Sequence, residues 1–309
     1  MKILISDRMH ESIIPLIESE GFKVDYRPEI KRPEILDIIR DYTGLVIRSK
    51  TPIDRELLQK AEKLRFVGRA GAGIDQIDME EAFNRRIHIL NAPEGNRDAV
   101  AEHTVGMILS LLNKMPSGDR EVRSGIWQRE ANRGRELNNK TVSIIGFGYM
   151  GEAVSRRLRP FGCDILAYDK YKKGLSTAVR EVDLEKVFEN TDILSLHVPL
   201  TAETKFAYNY EFFQNFKKEI MLINTARGEI LPLDDLVKLM DEGKIWAAGL
   251  DVLQNEKIDK LSAGEKALME NLWAHPNTIF TPHVAGWSNE SYRKINETLV
   301  NKIKLLNLV

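Results

Sequence analysis

Four polar groups in the second half of the chain stand where apolar runs end: His197, Arg227, Asp251 with Glu256, and His283. Imidazole gives and takes protons near neutral pH, so either histidine suits an acid/base role. A guanidinium presents a planar fork of donors that matches a carboxylate, which makes Arg227 a candidate for gripping an acid. A carboxylate beside an imidazole favours its protonated form, a task for Asp251 or Glu256. Oxidation of a hydroxy acid requires this combination: a base for the hydroxyl proton, a cation for the carboxylate, and a partner for the base. Taken singly, each group has an ordinary structural explanation. A strand-end histidine is commonly just hydrogen-bonded, an arginine before glycine is commonly at the surface, and Asp251 would serve as a turn cap.

A redox partner for such a reaction is signalled upstream. The apolar run Val142-Ser143-Ile144-Ile145 leads into Gly146-Phe147-Gly148-Tyr149-Met150-Gly151, and a helix-like segment, Glu152 to Leu158, follows. Strand, G-x-G-x-x-G turn and helix in that order hold a dinucleotide. Gly146 permits the tight turn, Gly148 lets the backbone approach a pyrophosphate, and Gly151 lets the helix pack close to the strand. The amides of Tyr149 and Met150, at the helix start, would face the diphosphate, favoured by the helix dipole. A second apolar run, Asp164 to Tyr168, ends at Asp169. An acid there accepts hydrogen bonds from the adenosine ribose and repels a 2′-phosphate, which predicts NAD rather than NADP.

The rest of the sequence must position these groups. Strands predicted at Lys2–Ser6, Phe22–Tyr26, Gly44–Ile47, Phe66–Arg69 and Ile87–Leu90 alternate with helices at Glu11–Glu20, Pro33–Arg40 and Arg55–Ala61. Gly21 would end the first helix and Asp54 would cap the third. A second series starts at Val142, with predicted strands at Ile193–His197, Met221–Asn224, Ala247–Leu250 and Thr278–Phe280. Short, continuously apolar strands alternating with helices predict parallel sheets buried on both faces. The expected fold class is α/β with two doubly wound parallel-sheet domains, one Rossmann-type for NAD and one flavodoxin-like for substrate, with a ligand cleft between them. Residues 1–96 and 288–309, including an amphipathic helix over Glu290–Leu306, are expected to form the substrate domain, and 97–287 the NAD-binding domain. The stretch Arg97 to Asn113 reads as a helix with almost no polar side. It belongs either in the core of its own domain or against a partner subunit, and the second option predicts a homodimer.

Composition excludes several classes. Lys plus Arg (45) balances Asp plus Glu (46), so no global field attracts nucleic acid or an anionic membrane. The only cysteine, Cys163, cannot form an internal disulfide and fits a reducing compartment. The first residues are charged too soon for a signal peptide, no apolar run approaches a membrane span, and a cytoplasmic location is expected. No metal is called for.

The chain resembles the D-isomer-specific 2-hydroxyacid dehydrogenase family along most of its length. The matching text includes Arg69-Ala70-Gly71-Ala72-Gly73-Ile74-Asp75, Asn91-Ala92-Pro93-Glu94-Gly95-Asn96, Val100-Ala101-Glu102-His103-Thr104 and the Gly146 to Gly151 fingerprint. It continues through His197-Val198-Pro199-Leu200-Thr201, Asn224-Thr225-Ala226-Arg227-Gly228, Gly249-Leu250-Asp251-Val252 and Pro282-His283-Val284-Ala285-Gly286. The resemblance implies that Arg227 binds substrate, Glu256 partners the base, and His283 is the acid/base. It implies that backbone amides of Gly71, Ala72 and Gly73 meet the substrate carboxylate, a nest-type anion site. It further implies that Val198, Pro199, Thr225, Ala226 and Asp251 line the nicotinamide half of the NAD site. The chain departs from the family at Gln76, where Asn is usual, at Lys257, where Pro is usual, and in a longer span from Glu256 to His283. The extra text, Ile258 to Glu270, is charged and is expected to form a helical surface insertion.

Within the family, Val46-Ile47-Arg48-Ser49-Lys50-Thr51 and Ala101-Glu102-His103-Thr104 are most similar to D-3-phosphoglycerate dehydrogenases, and no C-terminal regulatory domain is expected after the last helix. That likeness implies 3-phospho-D-glycerate as substrate, giving 3-phosphohydroxypyruvate for serine biosynthesis. Arg48 and Lys50, two apart beyond a strand, are expected to point to a common phosphate if the backbone is extended. A second basic cluster, Arg120, Arg123, Arg129, Arg133 and Arg135, reads chiefly as a solvated face, with the alternative that it supplies an arginine to the active site, its own or a neighbouring subunit's. The alternatives are a hydroxypyruvate or glyoxylate reductase, needing no phosphate cations, and an NAD(H)-sensing corepressor-like binding protein.

Overall fold

Valine, isoleucine and leucine dominate the strands, and the pairing they adopt is parallel throughout. The computed structural model describes residues 1–308. In chain order its elements are β1 (Lys2–Ile5), α1 (Ile13–Ser19), β2 (Lys23–Tyr26), α2 (Arg32–Ile38), β3 (Gly44–Ile47), α3 (Arg55–Lys60), β4 (Phe66–Arg69), α4 (Met79–Asn84), β5 (His88–Asn91) and α5 (Pro93–Leu112). They continue with α6 (Met115–Arg123), β6 (Thr141–Ile145), α7 (Tyr149–Leu158), β7 (Asp164–Tyr168), β8 (Arg180–Glu181), α8 (Leu184–Asn190), β9 (Ile193–Leu196), α9 (Tyr210–Gln214) and β10 (Ile220–Asn224). Last come α10 (Leu233–Asp241), β11 (Ile245–Leu250), α11 (Ala263–Ala274), β12 (Thr278–Phe280) and α12 (Asn289–Lys304). Asp54 caps α3 by accepting from the Leu57 N–H, and Gly21 follows α1 with φ +84°.

The polypeptide divides into two compact units, residues 1–97 with 287–309, and residues 98–286. The first holds a five-stranded sheet in the order β2-β1-β3-β4-β5, all parallel. That is the flavodoxin order. One face is covered around Ile35, Ile39 and Leu57, and a second cluster joins Ile3, Ile5 and Phe66 to Ile295 and Leu299 of α12.

The second unit holds seven parallel strands in the order β12-β11-β10-β9-β6-β7-β8. Crossing from β6 to β7 on one side and to β9 on the other creates a switch point beside β6, where doubly wound sheets bind ligands beyond their strand ends. Helix α5 packs into the core of this unit: Ala101 and Ile108 are fully buried there beside Val142 and Ile144. Most of its apolar side chains are covered within one chain, while Glu102 and Gly106 are exposed and Leu109 is partly buried. Exposed apolar residues lie just beyond it at Met115, Val122, Ile126 and Trp127. Among the described residues no helix is long and apolar enough to cross a membrane.

The expected insertion is helical. Ser262 and Glu265 form a capping box at the start of α11, and residues 258–270 are mostly exposed.

Candidate active site

The turn after β12 presents His283 with a left-handed backbone, φ +55°. Such a conformation is uncommon outside glycine and persists where neighbours determine it. Here one residue supplies most of the determination. The Asp251 carbonyl accepts the His283 N–H at 2.8 Å. Its Oδ1 accepts from the Val284 N–H and its Oδ2 from the Ala285 N–H, both at 2.9 Å. The Thr281 hydroxyl donates to Oδ1 at 2.6 Å. Asp251 is only 2% exposed, so its carboxylate, shut away from water, is satisfied by the turn it fastens. The sequence offered Asp251 as a turn cap and the resemblance offered it as a lining residue; the structure shows it capping this turn, while the particular amides it meets were not legible in the sequence.

Glu256 reaches the same histidine from the loop after β11. Its Oε1 lies 2.9 Å and its Oε2 3.1 Å from Nδ1 of His283. With Nδ1–H directed at the carboxylate, Nε2 keeps the lone pair and can act as a base. Both side chains remain nearly half exposed, so the pair is accessible to a small molecule. Glu265 does not compete for this role. It accepts from the N–H and hydroxyl of Ser262 and from the Asn255 amide, which together hold its carboxyl below the usual carboxylate range.

Arg227 follows β10 in an extended conformation. Asn224, 1% exposed, shapes the turn before it: Oδ1 accepts from the Ala226 N–H at 3.0 Å and Nδ2 donates to the Arg227 carbonyl at 2.9 Å. One guanidinium nitrogen donates to the Ala226 carbonyl at 2.6 Å. Because β9, β10, β11 and β12 are parallel neighbours, Val198 and Pro199, Thr225 to Arg227, Asp251 and His283 all emerge at one edge of the sheet.

His197 plays a different part. Its Nε2 pairs with the Ser195 hydroxyl at 2.8 Å, and its Nδ1 is buried with no hydrogen-bond partner among the described residues. Burial pushes this imidazole down to about 4, which keeps it neutral.

The fingerprint fits a dinucleotide on its geometry. Gly146 has φ +90°, and a Cβ there would lie 2.5 Å from the His197 carbonyl oxygen. A Cβ on Gly151 would lie 2.2 Å from the Gly146 oxygen, whereas one on Gly148 would meet nothing within 4 Å. Gly151 therefore seats helix on strand, and Gly148 leaves open space over the start of α7. Asp169 accepts from the N–H groups of Phe147, Tyr171 and Lys172 at 2.8–3.0 Å. Burial alone would raise this carboxyl; the amides of Lys172, Phe147 and Tyr171, with the Lys172 charge, outweigh it and hold the group below its ordinary range. Thus Asp169 is an anion that also ties β7 to the glycine loop.

In the first unit, Gly71 adopts φ +147°, and a Cβ there would lie 1.4 Å from an Arg69 guanidinium nitrogen. Asn91 donates to the Ala72 carbonyl at 2.6 Å, and the Ala92 N–H to that of Gly71 at 2.8 Å. Gln76, at the departure from the family text, donates to the Arg48 carbonyl at 2.8 Å and so links the 71–76 loop to the segment after β3.

The expectation of a shared anion for Arg48 and Lys50 needs correction. Lys50 turns its ammonium onto the carbonyls of Pro28 and Ile30 at 2.7 and 3.0 Å. Arg48 instead lies over the rings of Trp287 and Tyr292, 4.4 and 4.7 Å from their centroids. Asp7 accepts both backbone N–H groups through one oxygen, which fixes the segment but sends the two side chains to different neighbours. Of the second basic cluster, Arg123 pairs with Asp119, Arg133 with Glu130, and Arg135 lies over Trp246.

Residues 105–285 match the family model described as D-isomer specific 2-hydroxyacid dehydrogenase, NAD binding domain. The chain belongs to this family. It is 32% identical to a D-3-phosphoglycerate dehydrogenase of Archaeoglobus fulgidus over 98% of its own length and 58% of the other's. It thus spans little more than half of that relative. A hydroxypyruvate reductase of Thermotoga maritima is 33% identical, with 89% of this chain and 88% of that one covered. Among solved structures, a D-lactate dehydrogenase of Aquifex aeolicus complexed with NAD and lactic acid superposes with a TM-score of 0.84 at 26% identity, covering 99% and 95%.

Proposed function

We propose that this member of the 2-hydroxyacid dehydrogenase family is an NAD-dependent oxidoreductase acting on D-2-hydroxy acids. The observation that carries the reading is the His283–Glu256 pair, with Nδ1 2.9 Å from the carboxylate, at the sheet edge that also bears Arg227. Bound NAD supplies the acceptor for the hydride that leaves C2. His283 takes the hydroxyl proton at Nε2, and Glu256 stabilises the imidazolium that results. Arg227 holds the substrate carboxylate through its planar fork. The product is the 2-oxo acid, and reduction runs the same proton back from His283. Gly71, Ala72 and Gly73 are assigned to the substrate carboxylate, and Tyr149, Met150, Val198, Pro199, Thr225 and Ala226 to the cofactor.

The favoured substrate is 3-phospho-D-glycerate, with Arg48 as its phosphate ligand. Support comes from the likeness to the Archaeoglobus enzyme and from a guanidinium that lies against the Trp287 and Tyr292 rings and whose planar fork suits a phosphate. NADH formation with a panel of D-2-hydroxy acids tests the reading. Turnover of 3-phosphoglycerate well above glycerate is expected. Preferred turnover of unphosphorylated acids would transfer the protein to the hydroxypyruvate or glyoxylate reductases. NADH binding with no turnover of any acid would make it a dinucleotide-sensing protein.

The cytoplasm is the proposed location, and a homodimer the proposed assembly. The apolar surface at Met115, Val122, Ile126 and Trp127 supports association. Sedimentation as a monomer at micromolar concentration would refute it.

A further inference from the structure

Two adjacent residues of α5, His103 and Thr104, touch the two loops that carry the reacting groups. His103 Nε2 lies 2.9 Å from the Thr281 hydroxyl, at the foot of the His283 turn. Thr104 Oγ1 lies 3.2 Å from the Thr225 hydroxyl, in the turn that leads to Arg227.

The directions of these bonds follow from counting hydrogens. Thr281 has one hydroxyl hydrogen, and it goes to Oδ1 of Asp251. Thr281 must therefore accept from His103, which fixes a hydrogen on Nε2 of that ring. Thr104 gives its own hydrogen to the Val100 carbonyl one turn back in the helix, at 2.8 Å. It must therefore accept from Thr225. One chain of donors runs from His103 through Thr281 to Asp251, whose carboxylate also accepts from the Val284 and Ala285 amides beside the left-handed His283. The other runs from Thr225 into α5. Thr104 is fully buried, and the His103 side chain is 24% exposed. The helix between the loops is anchored in the core by Ala101, Val105 and Ile108.

We propose that His103 and Thr104 are positioning residues, with His103 setting the orientation of His283 and Thr104 that of Arg227. Neither touches the reacting atoms. The inference rests on the dehydrogenase reading above, and it assigns separate kinetic consequences to neighbouring side chains. Without the His103 donor, the Thr281 hydroxyl is free to turn from Asp251, and the acid/base loses its fixed aim. Without the Thr104 acceptor, the Arg227 turn loosens and the carboxylate is held less well.

The test compares His103→Leu, His103→Gln and Thr104→Val with wild type in steady-state kinetics, together with amide hydrogen exchange at Val284 and Ala285. Loss of one hydrogen bond to a charged network corresponds to about tenfold. His103→Leu should lower kcat by about that factor with little change in KM for the acid, and should speed exchange at both amides. His103→Gln, whose amide also donates, should recover much of both effects. Thr104→Val should raise KM for the acid, leave kcat close to wild type, and leave those amides protected. Equal changes in kcat and KM for both positions, or unchanged kcat and exchange in His103→Leu, would overturn the proposal. Failure of the underlying reading shows elsewhere: His283→Ala would then retain turnover. The exchange measurement reports on His103 even if no acid is turned over.

Discussion

Oε1 of Glu256 lies 2.9 Å from Nδ1 of His283, although 27 residues and a complete helix separate them in sequence. The helix α11 is accommodated because the two ends of that span are tied to each other at its base. Asp251, just before Glu256, clamps the turn that carries His283, so the inserted segment can bulge outward without parting the pair.

The first prediction concerns that carboxylate. Glu256→Gln keeps the size of the side chain and removes its charge. Oxidation builds positive charge on His283, so its turnover should fall about tenfold or more, the worth of a charge-assisted hydrogen bond. Steady-state oxidation rates of the two proteins check this, and unchanged turnover in Glu256→Gln would mean that another group partners the base.

Asp169 holds the glycine loop, and the proposed function adds cofactor selection; its replacement should separate the two. Asp169→Ala removes the charge that repels a 2′-phosphate, so discrimination against NADP should relax. It also removes the acceptor of the Phe147 N–H inside the glycine loop, so NAD should bind more weakly. The expected result is a higher KM for NAD with a smaller NAD/NADP ratio in kcat/KM. A wild type that uses both cofactors equally would sink the ribose assignment.

Much of this site was readable from residue order, for a physical reason. Parallel sheets place chemistry at the ends of short apolar strands, so His283, Arg227 and Asp169 were marked by the runs preceding them. The strand-turn-helix text did the same for Gly146 to Gly151. What escaped was three-dimensional: the Asp251 clamp depends on which amides a buried carboxylate meets, and His103 meets Thr281 from a helix far upstream. Arg48 and Lys50 show the limit most plainly. Two-residue spacing past a strand suggested one shared direction, but beyond Ile47 the backbone leaves the sheet and winds round the Asp7 carboxylate. The short helices α8 and α9 and the two-residue β8 carry too little pattern to be read in advance.

His197 predicts how stability varies with pH. Its folded value is about 4, while an unfolded histidine titrates near about 6.5. Above the unfolded value both states are neutral and nothing changes. Between the two values the unfolded chain binds the extra proton, so stability falls as pH drops from about 6.5 to about 4, by at most about 3 kcal/mol. Below that window the loss is complete and constant. His197→Asn removes this contribution, so its stability should decline less steeply over the same range. Urea unfolding at several pH values decides the matter, and parallel curves would show that His197 is not the group responsible.

The last prediction separates the two cations after β3. Arg48 lies over Trp287 and Tyr292, whereas Lys50 donates to the Pro28 and Ile30 carbonyls. If Arg48 holds the substrate phosphate, its contact is made only by a phosphorylated acid. A charge-assisted bond of about 1.5–3 kcal/mol then corresponds to about tenfold or more in kcat/KM. Arg48→Ala should cost that much with 3-phosphoglycerate and little with glycerate, since the carboxylate and hydroxyl of both meet the same Arg227 and His283. Lys50→Ala should lower both rates by a similar, smaller factor, because it loosens the segment without removing a ligand. The informative quantity is therefore the ratio of the two substrates in each variant, not activity itself. An unchanged ratio in Arg48→Ala would make that arginine part of the scaffold, and the case for a phosphorylated substrate would lose its physical basis.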